Sequence, residues 1–364
     1  MTLNEFLDNW RSGSDTIAVK TSGSTGTPKV MQVEKRRMLA SARVTCDFLG
    51  LRQGDTALLC MSLDYIAGKM MVVRSIERGL RLLTVEPSGH PMQGLTEAAG
   101  LVAMVPMQVY NTLKVESERR LLMQSRHLLI GGGAIDKELE AALREFPNAV
   151  WSTYGMTETL SHIALRRLNG KEASQWYTPF NTVDVRQDAG GCLVIDAPEI
   201  CGETLTTNDI VEMHADGRRF RIVGRRDNVI CSGGVKIQIE EVETLLKEHV
   251  NVPFVITKCH DGKFGEAVVM LYESGEKDFE SGEQSFATTL AGGNGNGADC
   301  RSLRRVAENF LPRYWQPKYY FAVDCLPLTE TGKPARKQAE LLAESVRRVA
   351  ESAGADVGKD TAAH

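Results

Sequence analysis

Nine consecutive residues, Thr21-Ser22-Gly23-Ser24-Thr25-Gly26-Thr27-Pro28-Lys29, hold five hydroxyls, two glycines and a lysine. Short apolar runs flank them, Thr16–Val19 before and Val30–Val33 after, so they read as the loop of a strand–loop–strand unit. Glycines let a backbone curl until N–H groups and hydroxyls converge on one point. Lys29 adds a mobile positive charge at the mouth. This is a cradle for an anion with several oxygens, such as the phosphates of a nucleotide. The phosphate-loop pattern G-x-x-x-x-G-K-[ST] does not fit, because Pro28 stands where its second glycine belongs and Val30 where its hydroxyl belongs. A flexible Ser/Gly linker is the bland alternative, and Pro28-Lys29 running straight into an apolar strand argues against it.

Two more loops follow expected strands directly. Gly131-Gly132-Gly133 precedes a helical pattern and lacks the next glycine of a dinucleotide fingerprint, Asp136 occupying that offset. It could be a tight turn, or a place where a flat ring approaches the backbone. Tyr154-Gly155-Met156-Thr157-Glu158 offers a hydroxyl for phosphate and a hard carboxylate oxygen of the kind Mg²⁺ takes beside substrate phosphates, while taken alone Glu158 reads equally as a solvated acid at a helix start.

Positioning these loops requires a scaffold, and the chain of 364 residues is long enough for more than one domain. A hydrophobic content of 42%, a charged content of 25% and a net charge of −4 fit a globular protein with no field to recruit nucleic acid or an anionic membrane. The eight cysteines form no C-x-x-C pair, so free thiols in a reducing, cytoplasmic setting are expected. Met1–Trp10 has no signal-peptide core and no run is long enough for a membrane span. From Glu34 to Trp151 helical patterns (34–49, 66–78, 92–99, 106–124, 136–146) alternate with short apolar runs (57–61, 80–85, 101–104, 127–130, 150–151). That alternation predicts α/β architecture, a mostly parallel sheet covered on both faces, with ligands at the carboxyl ends of its strands. From Ser161 to Val223 the pattern turns to β. A small α+β unit follows, with helices 239–248 and 303–310 and strands 254–258, 267–272 and 319–323. Residues 273–299 read as a surface loop, and residues 346–364 as a disordered tail.

The loop at 21–29 resembles the phosphate loop of the adenylate-forming acyl-CoA synthetases, [ST]-S-G-[ST]-T-G-x-P-K, at every fixed position. Y-G-x-T-E at 154–158 resembles the family's segment that holds adenine and the α-phosphate, with its acid on magnesium. Thr207-Asn208-Asp209 resembles its T-G-D turn, whose Asp grips the ribose hydroxyls; Asn replaces Gly here but tolerates a left-handed turn. Gly224–Lys236 resembles the handover between domains, implying a ribose contact at Arg225 and a hinge at Asp227. Pro327–Arg336 resembles P-x-T-x-x-G-K-x-x-R, which implies a catalytic role for Lys333.

The resemblance implies an αβα-layered large domain with a β-rich subdomain over 1–224 and a small mobile domain over 225–345. ATP and Mg²⁺ would turn a carboxylic acid into an acyl-adenylate, and coenzyme A would then take the acyl group. Thr21, Ser22, Gly23, Ser24, Thr25, Gly26, Lys29, Gly131–Gly133, Tyr154–Thr157, Asp209 and Arg225 would bind the nucleotide, Glu158 the metal, and Lys333, Thr157 and Glu158 would carry the chemistry. Arg74–Ser88, Leu193–Pro198 and Asp227–Ile237 look like the o-succinylbenzoate–CoA ligases of menaquinone synthesis. Two features depart from the family. Relatives carry a much longer segment before the phosphate loop, so the large domain is expected to be shortened and its sheet edges to be covered by dimerisation. A histidine that gates the acyl pocket in relatives is Tyr65 here, a ring but no neutral-pH base. On the helix that follows, Arg74 could hold the second carboxylate of a dicarboxylic acid, or be a surface arginine whose stem covers apolar neighbours. Rival readings are an enzyme that loads a carrier-protein phosphopantetheine, and a catalytically silent acyl-nucleotide-binding module.

Overall fold

The computed structural model describes residues 1–20, 30–133, 135–273, 298–329 and 333–352. It divides into two compact units, residues 1–207 with 211–222, and residues 208–210 with 223–364.

The first unit is built on a seven-stranded sheet, in the order Arg81–Thr84, Thr56–Leu59, Leu101–Met104, His127–Ile130, Ala149–Gly155, His162–Arg167, Thr178–Pro179. The first five strands are parallel, and each of the last two runs antiparallel to the strand before it. Successive residues of a strand face opposite ways, and each parallel strand here feeds two cores. Ala57, Leu59, Leu101 and Ala103 pack with Met38, Ala42, Met70, Met71 and Val73 of the helices Lys35–Phe48 and Ile66–Arg78. Leu58, Cys60, Val102 and Met104 pack on the other face with Val109, Leu122, Leu139 and Leu143 of the helices Pro106–Lys114, Glu116–Met123 and Lys137–Leu143. The expected sheet with helices on both faces is therefore present. Gly79, at φ +64° in the left-handed region, ends the helix that carries Arg74.

Two local expectations change, and one helix is added. The helix expected over 92–99 is a turn followed by irregular chain with a bend, because Gly94 at φ +76° interrupts helical geometry. The first residues form a helix, Leu3–Arg11, started by a capping box in which Thr2 and Glu5 exchange side-chain-to-backbone hydrogen bonds. Thr207-Asn208-Asp209 is not a turn: it lies within the strand Leu205–Met213, whose alternation buries Thr207, Asp209 and Val211. That strand is third in a four-stranded sheet ordered 184–187, 192–196, 205–213, 220–225.

The second unit has a sheet of five strands, Val235–Gln238, Val229–Ser232, Gly265–Glu273 and Phe254–Asp261 in order, with Tyr319–Val323 parallel beside Gly265–Glu273. Its two faces are again covered, one by Val242, Leu246, Leu303 and Ala307, the other by Ala339 and Ala343. The tail expected to start at 346 is helical as far as Ser352, and Val346 packs onto the second core. Apolar residues at helical spacing hold this stretch in place. All eight cysteines are free, and no helix among the described residues is long and apolar enough to cross a membrane.

One buried amide fixes the strand that leads into the Tyr154–Glu158 loop. Asn169, 1% exposed, accepts from Val150 N (3.0 Å) and Arg167 Nε (2.9 Å), and donates to Phe146 O (2.8 Å) and Asn148 O (2.7 Å). Asn169→Ala strands several of these partners and should lower the unfolding free energy by about 2–4 kcal/mol, read from urea denaturation. A change within about 0.5 kcal/mol would show that water satisfies the strand ends as well as the amide does.

Candidate functional site

Six residues, Met156–Ser161, separate the strand Ala149–Gly155 from His162–Arg167, and the turn they make is tightly constrained. A Cβ on Gly155 would lie 2.2 Å from Ser161 O and 2.5 Å from the His162 Cα, so the two chain segments pass too close for any side chain. Leu160 is the described non-glycine residue with a positive φ, +63°, and its side chain is buried at 3%. Thr159, fully buried, accepts from Met156 N (2.9 Å), and its hydroxyl lies 3.0 Å from Met156 O and 2.7 Å from Ser161 O. Tyr154 supports the turn from behind, its ring edge-on to Phe220 and tilted against Tyr177.

Thr157 is 9% exposed and Glu158 is exposed. The Glu158 carboxylate has no hydrogen-bond or ion-pair partner among the described residues. It borders a cavity of about 390 Å³ with Met31, Cys201, Gly202, Glu203 and Leu205. An unengaged carboxylate at an open cavity fits a magnesium ion that keeps most of its water.

Arg74 is 3% exposed, which removes the surface reading of this residue. Its Nη2 donates to Ser161 Oγ at 2.5 Å, Nε has no acceptor, and no carboxylate pairs with it among the described residues. Burial brings its pKa down to about 10, so the guanidinium remains charged at neutral pH. The chain of contacts continues inward. Ser161 Oγ lies 3.3 Å from His162 Nδ1, His162 Nε2 lies 3.1 Å from Thr45 Oγ1, and Thr45 donates to Ser41 O at 3.1 Å. His162 is enclosed, and burial, with Arg74 second, holds its pKa well below the ordinary imidazole value. Ser161, His162 and Thr45 were not expected to matter. Their signal is faint, Thr45 being one hydroxyl in a helical pattern and Ser161-His162 a polar pair at a strand start.

Tyr65, the other acid-site candidate, is the exposed residue just before the helix Ile66–Arg78. At about 1.5 Å per residue it is roughly 14 Å along the axis from Arg74, so the two do not meet. Gly132 has φ +75°, and a Cβ on Gly131 would lie 2.3 Å from Thr153 Oγ1, so this loop hugs the neighbouring strand. Gly133 follows as a bend. The loop with Thr21, Ser22, Gly23, Ser24, Thr25, Gly26 and Lys29 lies outside the described residues.

In the second unit Arg225 ties two candidates together. Its Nη1 donates to Asp209 Oδ1 (2.9 Å), while Nε and Nη2 donate to Asp227 Oδ1 (3.0 Å) and Oδ2 (3.1 Å). One guanidinium thus orients the ribose candidate and the hinge candidate. Lys333 sits on a short ladder in which Thr329 N donates to Lys333 O (2.7 Å), Lys333 N to Thr329 Oγ1 (3.1 Å) and Ala335 N to Pro327 O (2.8 Å). Desolvation, and then the Arg225 charge, lower the Lys333 pKa from its ordinary value.

Residues 14–207 match the family model described as AMP-binding enzyme. A 2-succinylbenzoate–CoA ligase of Bacillus cereus is 26% identical over 359 residues, 90% of this chain and 70% of that protein. The enzyme of the same name from Haemophilus influenzae is 27% identical, over 87% and 68% of the two chains. Among solved structures, an acyl-CoA synthetase (AMP-forming)/AMP-acid ligase II-like protein from Dyadobacter fermentans is 32% identical, covers 92% of this chain and 91% of that one, and superposes with a TM-score of 0.59. The o-succinylbenzoate coenzyme A synthetase of Bacillus subtilis, solved with ATP and magnesium ion, shares the fold at 21% identity, with a TM-score of 0.67 over 88% and 69% of the chains. With more than half its length matched by the family model, the chain belongs to the AMP-binding enzyme family.

Proposed function

We propose that this chain is an ATP-dependent, AMP-forming acid–CoA ligase and that its acid is o-succinylbenzoate. The observation that carries the acid's chemistry is Arg74, a charged guanidinium buried beside the turn that bears Thr157 and Glu158, with no counter-charge among the described residues. Leaving such a charge unpaired is expensive, and an anionic ligand relieves the cost. An acid with two carboxylates can meet both needs: one is held by Arg74 and the other reacts. The names of the Bacillus and Haemophilus relatives point to the same acid.

The residues divide the work as follows. A carboxylate attacks the α-phosphorus poorly unless the charge that builds there is met by fixed donors. The Thr157 hydroxyl, on its rigid turn, and the Lys333 ammonium supply them. Glu158 holds Mg²⁺, which when bound adds positive charge beside the phosphates. The phosphate loop 21–29 and the Gly131–Gly133 loop complete the nucleotide's surroundings. Asp209, oriented by Arg225, takes the ribose hydroxyls. Residues 1–224 act as the nucleotide- and acid-binding domain. Residues 225–345 move about Asp227, so that Lys333 serves the first step and withdraws before the CoA thiol attacks.

Lys333→Ala should abolish acyl-adenylate formation from acid and ATP yet leave thioester formation from synthetic acyl-adenylate intact. Equal loss of both half-reactions would remove Lys333 from this role. Arg74→Ala should raise KM for o-succinylbenzoate by the about 2–5 kcal/mol typical of a truncated buried charge pair, roughly thirty- to several-thousand-fold. KM for ATP should stay nearly constant, and unaltered acid kinetics would refute the anchor.

A further inference from the structure

The hydrogen bonds behind Arg74 have only one possible direction. Arginine can only donate and a backbone carbonyl can only accept, so the two ends of the chain are fixed. Between them Ser161, His162 and Thr45 each have a single hydrogen to give while the imidazole is neutral. Thr45 spends its hydrogen on Ser41 O and must accept from His162 Nε2–H. His162 Nδ1 is then a lone pair that accepts from the Ser161 hydroxyl, and Ser161 Oγ accepts from Arg74 Nη2. Burial keeps the ring neutral, as this arrangement needs. The result is a support with no net charge. It holds one corner of the guanidinium and leaves its positive charge, with the acceptor-less Nε, for something else.

We propose that His162 is a positioning residue for the acid: acting through Ser161, it holds the Arg74 guanidinium so that its remaining N–H groups face the acid's second carboxylate. This rests on the reading of Arg74 as the acid's anchor. A carboxylate in place of the Ser161–His162 pair would hold the arginine more strongly and cancel the charge that attracts the substrate. A water molecule there would leave the planar fork free to turn, and bidentate recognition depends on its angle. His162 itself touches no substrate in this arrangement; its effect passes through one hydroxyl.

The test measures ATP–pyrophosphate exchange with o-succinylbenzoate for His162→Phe, His162→Asn, Ser161→Ala, Arg74→Ala and the double variant Arg74→Ala/His162→Phe. His162→Phe and Ser161→Ala should each raise KM for the acid about three- to tenfold, the worth of one hydrogen bond. KM for ATP should stay within about twofold. Asn at 162 offers Oδ1 where Nδ1 stood, so His162→Asn should recover most of the loss, which a merely structural role would not produce. Once Arg74 is gone, His162→Phe should add nothing further. If Arg74→Ala raises the acid's KM while Ser161→Ala and His162→Phe do not, the positioning role is wrong and the anchor stands. If Arg74→Ala itself has no effect, the anchor is wrong and the positioning role falls with it. Should His162→Phe not fold, Ser161→Ala and His162→Asn decide. The ¹⁵N shifts of His162, assigned by their loss in His162→Asn, test the wiring with no acid present. An Nε2–H tautomer is expected, and Nδ1–H would overturn the proposal.

Discussion

A positive charge enclosed in the first unit sets the terms for the rest of the site. Arg74 sits on the helix Ile66–Arg78 with Met70, Met71 and Val73, in a core that would ordinarily reject it. Transferring a charge into such surroundings costs several kcal/mol unless something compensates. Here one neutral hydroxyl is its hydrogen-bond partner among the described residues, and its pKa falls only to about 10. On the proposed reading, this charge is what draws an anionic acid to that point. Stability and function pull in opposite directions, as they commonly do where binding energy is stored in advance.

The fold constrains the turn beside that charge. The parallel strands feed two cores, so the turn after Ala149–Gly155 grows from a sheet packed on both faces. Close passage of Gly155 over Ser161, the left-handed Leu160 and the doubly used Thr159 hydroxyl leave the turn little freedom. Backbone strain of this kind costs about 1–3 kcal/mol and persists where surrounding structure determines it. Thr157 and Ser161 are consequently placed by one short segment, one on the nucleotide side of the proposed chemistry and one on the acid side. In the second unit a similar economy is seen, with Arg225 orienting both Asp209 and Asp227.

Much of this was legible in the sequence, for identifiable reasons. Alternating apolar runs and helical patterns from 34 to 151 announced the covered parallel sheet, because periodicity records which face is buried. The loops at 131–133 and 154–158 lie at strand ends, as the pattern of the sequence had them. What could not be read depends on contacts between distant residues. Thr45 and His162 are 117 positions apart, and nothing local marks them as partners. Asp209 was expected in a turn because Thr207-Asn208-Asp209 resembles the family's T-G-D, yet the segment pairs as a strand. The helix 92–99 failed at Gly94, where one φ outweighed a favourable pattern. The capping box at Thr2–Glu5 was in plain view, and a polar, acidic composition obscured it.

On the proposed reading, the buried Arg74 charge selects an acid with a second carboxylate. The most direct test compares kcat/KM in ATP–pyrophosphate exchange for o-succinylbenzoate and for 3-benzoylpropionate, the same keto acid without the ring carboxylate. If Arg74 pairs with that carboxylate, its removal should lower kcat/KM by roughly thirtyfold or more, the lower bound for losing a partner of a buried charge. Equal values for the two acids would mean that the enclosed arginine serves another purpose.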